Sequence, residues 1–294
     1  MSLLTIVLLG AILNASYIVF STKLLREEEG LDPSLALIGA TNAISGIILL
    51  PFAAPLLLDK AFVGEGLLVF QLLGLVLLML LARVLHYEAL RRIDIALVSP
   101  FSGLTPIVTI FTSYMVLGEA VSAVGVLAIG ITAIGAALVY YRPSRGRDPA
   151  ESKRLYLGLL MAFGSCVVPA LAITIEKSVL LRVAPIAYSC LFLLISSGFV
   201  GVIRLYRGHS VRTPRVRWGI SSLVSLAVMQ GGSVLLFAQA LLMGLTAEVS
   251  SLKRVSIVFQ VVLAYYVLGQ QADIRRRLIG IIAIILGIAM LQMF

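Results

Sequence analysis

Ten runs of 16 to 26 mostly apolar residues, parted by short intervals that hold most of the charges, constrain this chain more than any other feature it has. They cover 3–25, 34–57, 66–88, 95–116, 121–141, 155–176, 185–206, 217–242, 246–268 and 278–293. A helix rises about 1.5 Å per residue, so about 20 such residues cross the roughly 30 Å hydrocarbon layer of a bilayer. The backbone finds no water there, so each segment must satisfy its own N–H and C=O groups as a helix or pair with neighbours in a closed barrel. The alternating apolar and polar strands of a barrel are missing. Sixty percent of the 294 residues are hydrophobic against 13% charged, at a mean hydropathy of +1.08. A soluble core with a solvated surface does not reach that balance. The expectation is an all-α integral membrane protein of ten transmembrane helices. The first run starts at Leu3 with no basic lead and is long enough to span, so it reads as a helix rather than a cleaved leader.

The polar, Pro- and Gly-containing stretch Arg142 to Arg154, RPSRGRDPAESKR, divides the runs five and five. The halves repeat. A displacement of 151 residues sets Ala89-Leu90 against Ala240-Leu241, Val98-Ser99 against Val249-Ser250, Tyr114 against Tyr265 and Val116-Leu117-Gly118 against Val267-Leu268-Gly269. Glu119 then meets Gln270. This gives one five-helix repeat at 1–141, a basic linker at 142–154 and a second five-helix repeat at 155–294. Five is odd, so the second repeat enters the membrane from the opposite side and the two are inverted. The odd-numbered connections hold 17 of the 23 Lys and Arg residues, the even-numbered ones only Lys60, Lys177 and Arg182. The positive-inside rule then puts the odd connections in the cytoplasm and both termini outside, with the cell membrane as the expected location. The net charge of +9 flanks apolar spans, which matches inner-leaflet phospholipid and not nucleic acid.

Lys253 and Arg254 lie side by side inside the ninth run, EVSSLKRVSIVFQVVLAYYVLGQ, where a charge costs about 3 kcal/mol even on lenient insertion scales. One reading is that they face a water-filled cavity and hold an anionic group, Arg as a planar fork and Lys as a point charge. The other is that they pair with Glu248 or Glu88, or that Lys253 reaches along its helix to the surface. The fourth run, ALVSPFSGLTPIVTIFTSYMVLGE, has Pro100 and Pro106 around Ser99, Ser102, Gly103 and Thr105. Each proline removes a backbone donor, which suits either a broken helix at a binding site or a locally satisfied kink. In the third run Arg83, His86 and Glu88 form either a gate or protonatable coupling site, or an anchor for the helix end. Asn14, Tyr17 and Gln230, near mid-span, are secondary candidates for lining a cavity. Gly125, Gly130, Gly135, Gly280 and Gly287 suit close helix packing, so the fifth and tenth spans read as scaffold or homodimer contact. Cys166, Cys190 and two histidines make no metal-ligand spacing, and no metal or cofactor is expected.

The ten spans, the inverted repeat and the sequence SPFSGLTPIVTIFTSYMVLGE before a Gly-studded fifth span resemble the drug/metabolite transporter superfamily and its EamA-type members. The resemblance covers nearly the whole chain. SSLKRVSIVFQVVLAYYVLGQ is also similar to the corresponding span of the nucleotide-sugar and triose-phosphate branches, in which a Lys-Arg pair engages substrate phosphate. The resemblance carries that role onto Lys253 and Arg254. In two respects this chain departs from the family: Gln270 stands where a glutamate is usual, and the basic residues argue for external termini where members tend to have cytoplasmic ones.

The expected function is secondary transport of a small polar metabolite, phosphate- or carboxylate-bearing, by alternating access. The alternative in the same class is an exporter of amino acids or amphipathic compounds, with Lys253 and Arg254 structural. No GxxxxGK[ST] loop implies ATP. Proton coupling would need a carboxylate such as Glu88 or Glu248, and obligate exchange would need none. An intramembrane enzyme needs paired carboxylates, an activated nucleophile or clustered histidines, and none stands at workable spacing. A non-transporting scaffold would leave the duplication unexplained.

Overall fold

The computed structural model describes residues 2–25, 32–57, 66–92, 95–140, 152–208, 219–268 and 274–293. These fold as α1 (Leu3–Leu25), α2 (Asp32–Leu57), α3 (Gly66–Arg92), α4 (Ile95–Leu117), α5 (Ala123–Tyr140) and α6 (Ser152–Leu180). There follow α7 (Pro185–Tyr206), α8 (Ile220–Met243), α9 (Thr246–Leu252), α10 (Val255–Leu268) and α11 (Ile274–Met293). No strand occurs among the described residues. Among the described residues seven segments are long and apolar enough to cross a bilayer, and the shorter apolar helices Gly103–Leu117, Ala123–Val139 and Leu278–Leu291 bring the spans to ten. The ninth span is α9 and α10 together, Thr246–Leu268.

The chain packs as two compact units, each drawing on both sequence halves. One comprises Met1–Val76, Val179–Leu242 and Phe259–Gln270, the other Leu77–Ser178, Met243–Val258 and Gln271–Phe294. Lipid tails are as apolar as leucine, so helices associate in a membrane through close van der Waals contact at small residues and through hydrogen bonds. Both devices are visible in each unit.

In the first unit α2 packs on α7. A methyl added to Gly39 would lie 3.1 Å from Val200, and one on Gly46 would lie 2.6 Å from Leu194. Ser197 Oγ donates to the Gly39 carbonyl at 2.9 Å, Asn42 Nδ2 to Ser196 Oγ at 3.2 Å, and Cys190 Sγ reaches the Gly46 carbonyl at 3.4 Å. Numbers rise along α2 as they fall along α7, so the helices run antiparallel. On α1 and α8, Gly10 lies against Phe237 and Gly232 against Leu13, again in antiparallel order. Ser45 Oγ ties α2 to α8 through the Ala227 carbonyl at 2.7 Å.

In the second unit α5 packs on α11. A methyl on Gly135 would stand 2.7 Å from the Gly280 carbonyl oxygen, and one on Gly280 would stand 2.6 Å from the Gly135 oxygen. Further along, Gly287 faces the Ala128 carbonyl, so this pair too is antiparallel. Gly103 brings α4 equally close to Ala133 of α5. Thr112 of α4 and Thr174 of α6 share a hydrogen bond of 2.9 Å, and Phe101 meets Phe163 edge-on.

α2 and α7 are the second spans of their halves, and α5 and α11 the fifth. Equivalent spans of parallel repeats would point the same way; these point oppositely while in direct contact, as inverted repeats require. Gly135, Gly280 and Gly287 are the close-packing positions their spacing suggests, whereas a methyl on Gly130 would meet nothing within 4 Å.

Candidate functional site

The prolines do not break the helices that contain them. α4 runs unbroken past Pro100 and Pro106, and α2 and α6 likewise contain Pro51, Pro55 and Pro169. The break falls instead in the proline-free ninth span, at Lys253 and Arg254. α9 ends at Leu252 and α10 begins at Val255. Across the junction the ladder tightens to i→i+3 bonds: Arg254 N–H donates to the Ser251 carbonyl, Ser256 to Lys253 and Ile257 to Arg254, at 2.9 to 3.1 Å. Two cationic side chains, both half-buried, therefore stand at a discontinuity within a membrane span.

Around them lie residues of the same unit. The carboxylate whose charge bears on Lys253 is Glu176 of α6, itself buried. Arg254 lies in range of buried Cys166, whose thiol bonds Thr105 of α4. The hydroxyl of Ser251, two residues before Lys253, is buried with no hydrogen-bond partner among the described residues. α9 packs against α4, its counterpart in the repeat, and against α5 and α11.

The start of α9 is held by two carboxylates. Its N-cap residue, Leu245, has no side chain able to cap. Glu248, at the third helical position, takes the Leu245 N–H on its own carboxylate, half of a capping box. Glu119 Oε2 accepts the next N–H, from Thr246, at 2.7 Å. Glu119 Oε1 receives the ammonium of Lys177, which also donates to the Gly244 carbonyl at 2.6 Å. Negative charge at a helix start is favourable because the unsatisfied N–H groups there carry the positive end of the helix dipole.

The LGE ending of the fourth span explains how Glu119 gets there. Leu117 closes α4, and Gly118 turns the chain at φ 68°, a left-handed conformation glycine adopts without strain. Gly118 N–H returns to the Tyr114 carbonyl at 3.1 Å and Glu119 N–H to Ser113 at 3.3 Å, an αL cap. The clamp joins the ends of the fourth and sixth spans to the connection between the eighth and ninth. All three are even-numbered connections, so they share one side of the membrane, as ten alternating spans demand.

Spacing assigns Lys177 to a loop; it is the last basic residue of α6, and buried. Charge counting by loops misses it, as it misses Glu119 and Glu176, because a carboxylate near a span end looks solvated until its partner is known. The adjacent charges Glu176 and Lys177, closing a hydrophobic helix, were the available signal.

Arg83 is exposed on α3, and His86 and Glu88 are half-buried there. The side chains of Ser99 and Ser102, on α4, lie outside the described residues. Lys253, Arg254, Glu248, Arg83, His86 and Glu88 all belong to the second unit, whereas Asn14, Tyr17 and Gln230 belong to the first. Tyr17 Oη pairs with Thr41 Oγ1 at 3.4 Å, while Asn14 and Gln230 are half-buried on α1 and α8. Among the described residues no group of His, Cys, Asp and Glu is placed to hold a metal.

Ten spans in two inverted sets of five, with equivalent helices in antiparallel contact, define a multi-pass integral membrane protein of duplicated architecture. The profile of the EamA-like transporter family matches residues 1–141 and again 156–293, and the chain belongs to that family, within the drug/metabolite transporter superfamily. It is a membrane transporter of small molecules. A protein crystal structure with 17% sequence identity superposes with a TM-score of 0.71, covering 98% of this chain and 96% of its own, a likeness of fold. No curated protein sequence matches.

Proposed function

We propose that the chain is a secondary transporter that moves a small polar anion, phosphate- or carboxylate-bearing, by alternating access, with Lys253 and Arg254 at the substrate site. The break between α9 and α10 carries this reading: it sets two cations at an interruption in a membrane span, the arrangement transporters use to meet charged cargo. Glu176 beside Lys253 acts as the resident counter-ion, which an arriving phosphate or carboxylate displaces. The buried Ser251 hydroxyl adds a donor. The odd-numbered connections face the cytoplasm of a cell membrane and both termini lie outside, in line with the basic residues they hold. The apolar side chains exposed on α5 and α11, such as Leu127, Ile134, Ile282 and Ile285, suit lipid or the same face of a second copy.

A second reading keeps the pair structural and makes the cargo an amino acid or amphipathic compound; the Glu176 charge beside Lys253 favours it. Thermal-shift titration of the purified protein with phosphorylated metabolites, carboxylates and amino acids separates the two. A charge-assisted hydrogen bond is worth about 1.5–3 kcal/mol, so Lys253→Ala or Arg254→Ala should each weaken a stabilising anion by roughly ten- to a hundredfold. Stabilisation by an anion that survives both substitutions removes the pair from the site.

A further inference from the structure

Glu119, part-buried in the turn after α4, and Lys177, buried near the end of α6, are charges that stand apart from the helix break. We propose that they are positioning residues for the transport site: the pair fixes the start of α9, and through that seven-residue helix it sets where Lys253 and Arg254 stand. The proposal rests on the transporter reading above.

Three observations carry it. Glu119 spends both oxygens, one on Lys177 and one on the Thr246 N–H, the first amide of α9. Lys177 spends a second donor on the Gly244 carbonyl, just before the same helix, so each partner grips the turn that launches α9. And besides Glu248 on the Leu245 N–H, α9 has no other cap at its start, since the Leu245 side chain offers none and a helix of seven residues is too short to hold itself in place. From Thr246 the helix is buried on nearly every face up to Leu252, so a shift at its start is passed along to Lys253 at its end.

The repeat makes the device one-sided. The displacement that aligns the halves sets Lys177 against Arg26 but Glu119 against Gln270, so the first-half equivalent keeps the cation and lacks the acid. The first-half counterpart of α9 and α10 is α4, one unbroken helix with no short segment to hold. Among the described residues the charged clamp stands at the half-helix.

The test uses the purified full-length protein in detergent, with hydrogen–deuterium exchange as one readout and stabilisation by inorganic phosphate as the other. Glu119→Gln keeps the shape and Lys177→Met removes the cation. Both should speed exchange of amides in 246–257 at least tenfold while leaving α5 and α11 as protected as before. Glu119→Gln should also raise the phosphate concentration needed for half-maximal stabilisation about tenfold, with Lys253 and Arg254 untouched. The exchanged pair Glu119→Lys with Lys177→Glu should restore neither, because a lysine at 119 cannot accept the Thr246 N–H. Unchanged exchange at 246–257, a rise spread equally over α5 and α11, or full recovery in the exchanged pair would overturn the proposal. If phosphate fails to stabilise even the unmodified protein while exchange at 246–257 responds as stated, the clamp stands and the anion reading of the site falls.

Discussion

The contact between α5 and α11 gives a prediction in which one helix supplies both the test and its control. Alanine in place of glycine inside a helix gains about 1 kcal/mol from backbone propensity, wherever it is made. At Gly130 the new methyl meets nothing within 4 Å, so that gain stands alone. At Gly135 the methyl would sit 2.7 Å from the Gly280 oxygen, 2.8 Å from the Ile284 nitrogen and 3.0 Å from the Ala283 side chain. The first two are backbone atoms and cannot rotate aside. Ordinary contact for a methyl begins near 3.4 Å, so the helices must separate by roughly 0.7 Å, at the overpacking cost of about 1–3 kcal/mol. Since both substitutions carry the same propensity gain, Gly135→Ala should be less stable than Gly130→Ala by about 1–3 kcal/mol. Gly280→Ala meets the same obstacle from the other side, and the double variant should lose less than the two singles added, because one separation relieves both clashes. Equilibrium unfolding in mixed dodecyl maltoside and SDS micelles, followed by circular dichroism, measures all four. Equal stability of Gly135→Ala and Gly130→Ala would show that α5 and α11 do not approach as described.

Other outcomes follow from single contacts. Thr112→Val and Thr174→Val should each destabilise the second unit by about 0.6 kcal/mol, and a double-mutant cycle should return a coupling of similar size, since the hydroxyls share one 2.9 Å bond; a coupling of zero in the same unfolding assay removes that bond. Ser45→Ala should cost a similar amount by loosening α2 from Ala227, again by unfolding. Arg145→Cys, in the linker, should resist an impermeant thiol reagent in intact cells and react after permeabilisation; labelling in intact cells would reverse the orientation. For Glu248→Gln, the cap on Leu245 weakens without disappearing, so stability should fall by less than for Glu119→Gln.

Much of the architecture was legible in composition and spacing. The runs 3–25 and 185–206 match α1 and α7 residue for residue, because charge is excluded from hydrocarbon and each span must be covered from end to end. The inversion could be argued from an odd number of spans and a lopsided distribution of lysine and arginine. The site was less legible. Prolines at 100 and 106 suit either a broken fourth span or a locally satisfied kink; α4 continues past both, and the ninth span breaks. A missing N–H inside a well-packed helix is a local loss, whereas two adjacent cations raise a demand that only surrounding helices can meet.

What the sequence by itself determined is that this chain crosses a membrane ten times in two opposed halves, since both conclusions need only hydrophobic length, span parity and the sidedness of charge. The tertiary structure alone decided which acid answers which base. Glu176 lies 77 positions before Lys253 and Glu119 lies 58 before Lys177, separations at which sequence carries no distance information. Partners so far apart meet only because the helices that bear them pack through glycines and hydroxyls, and in a low-dielectric interior that meeting governs where a charge can be kept.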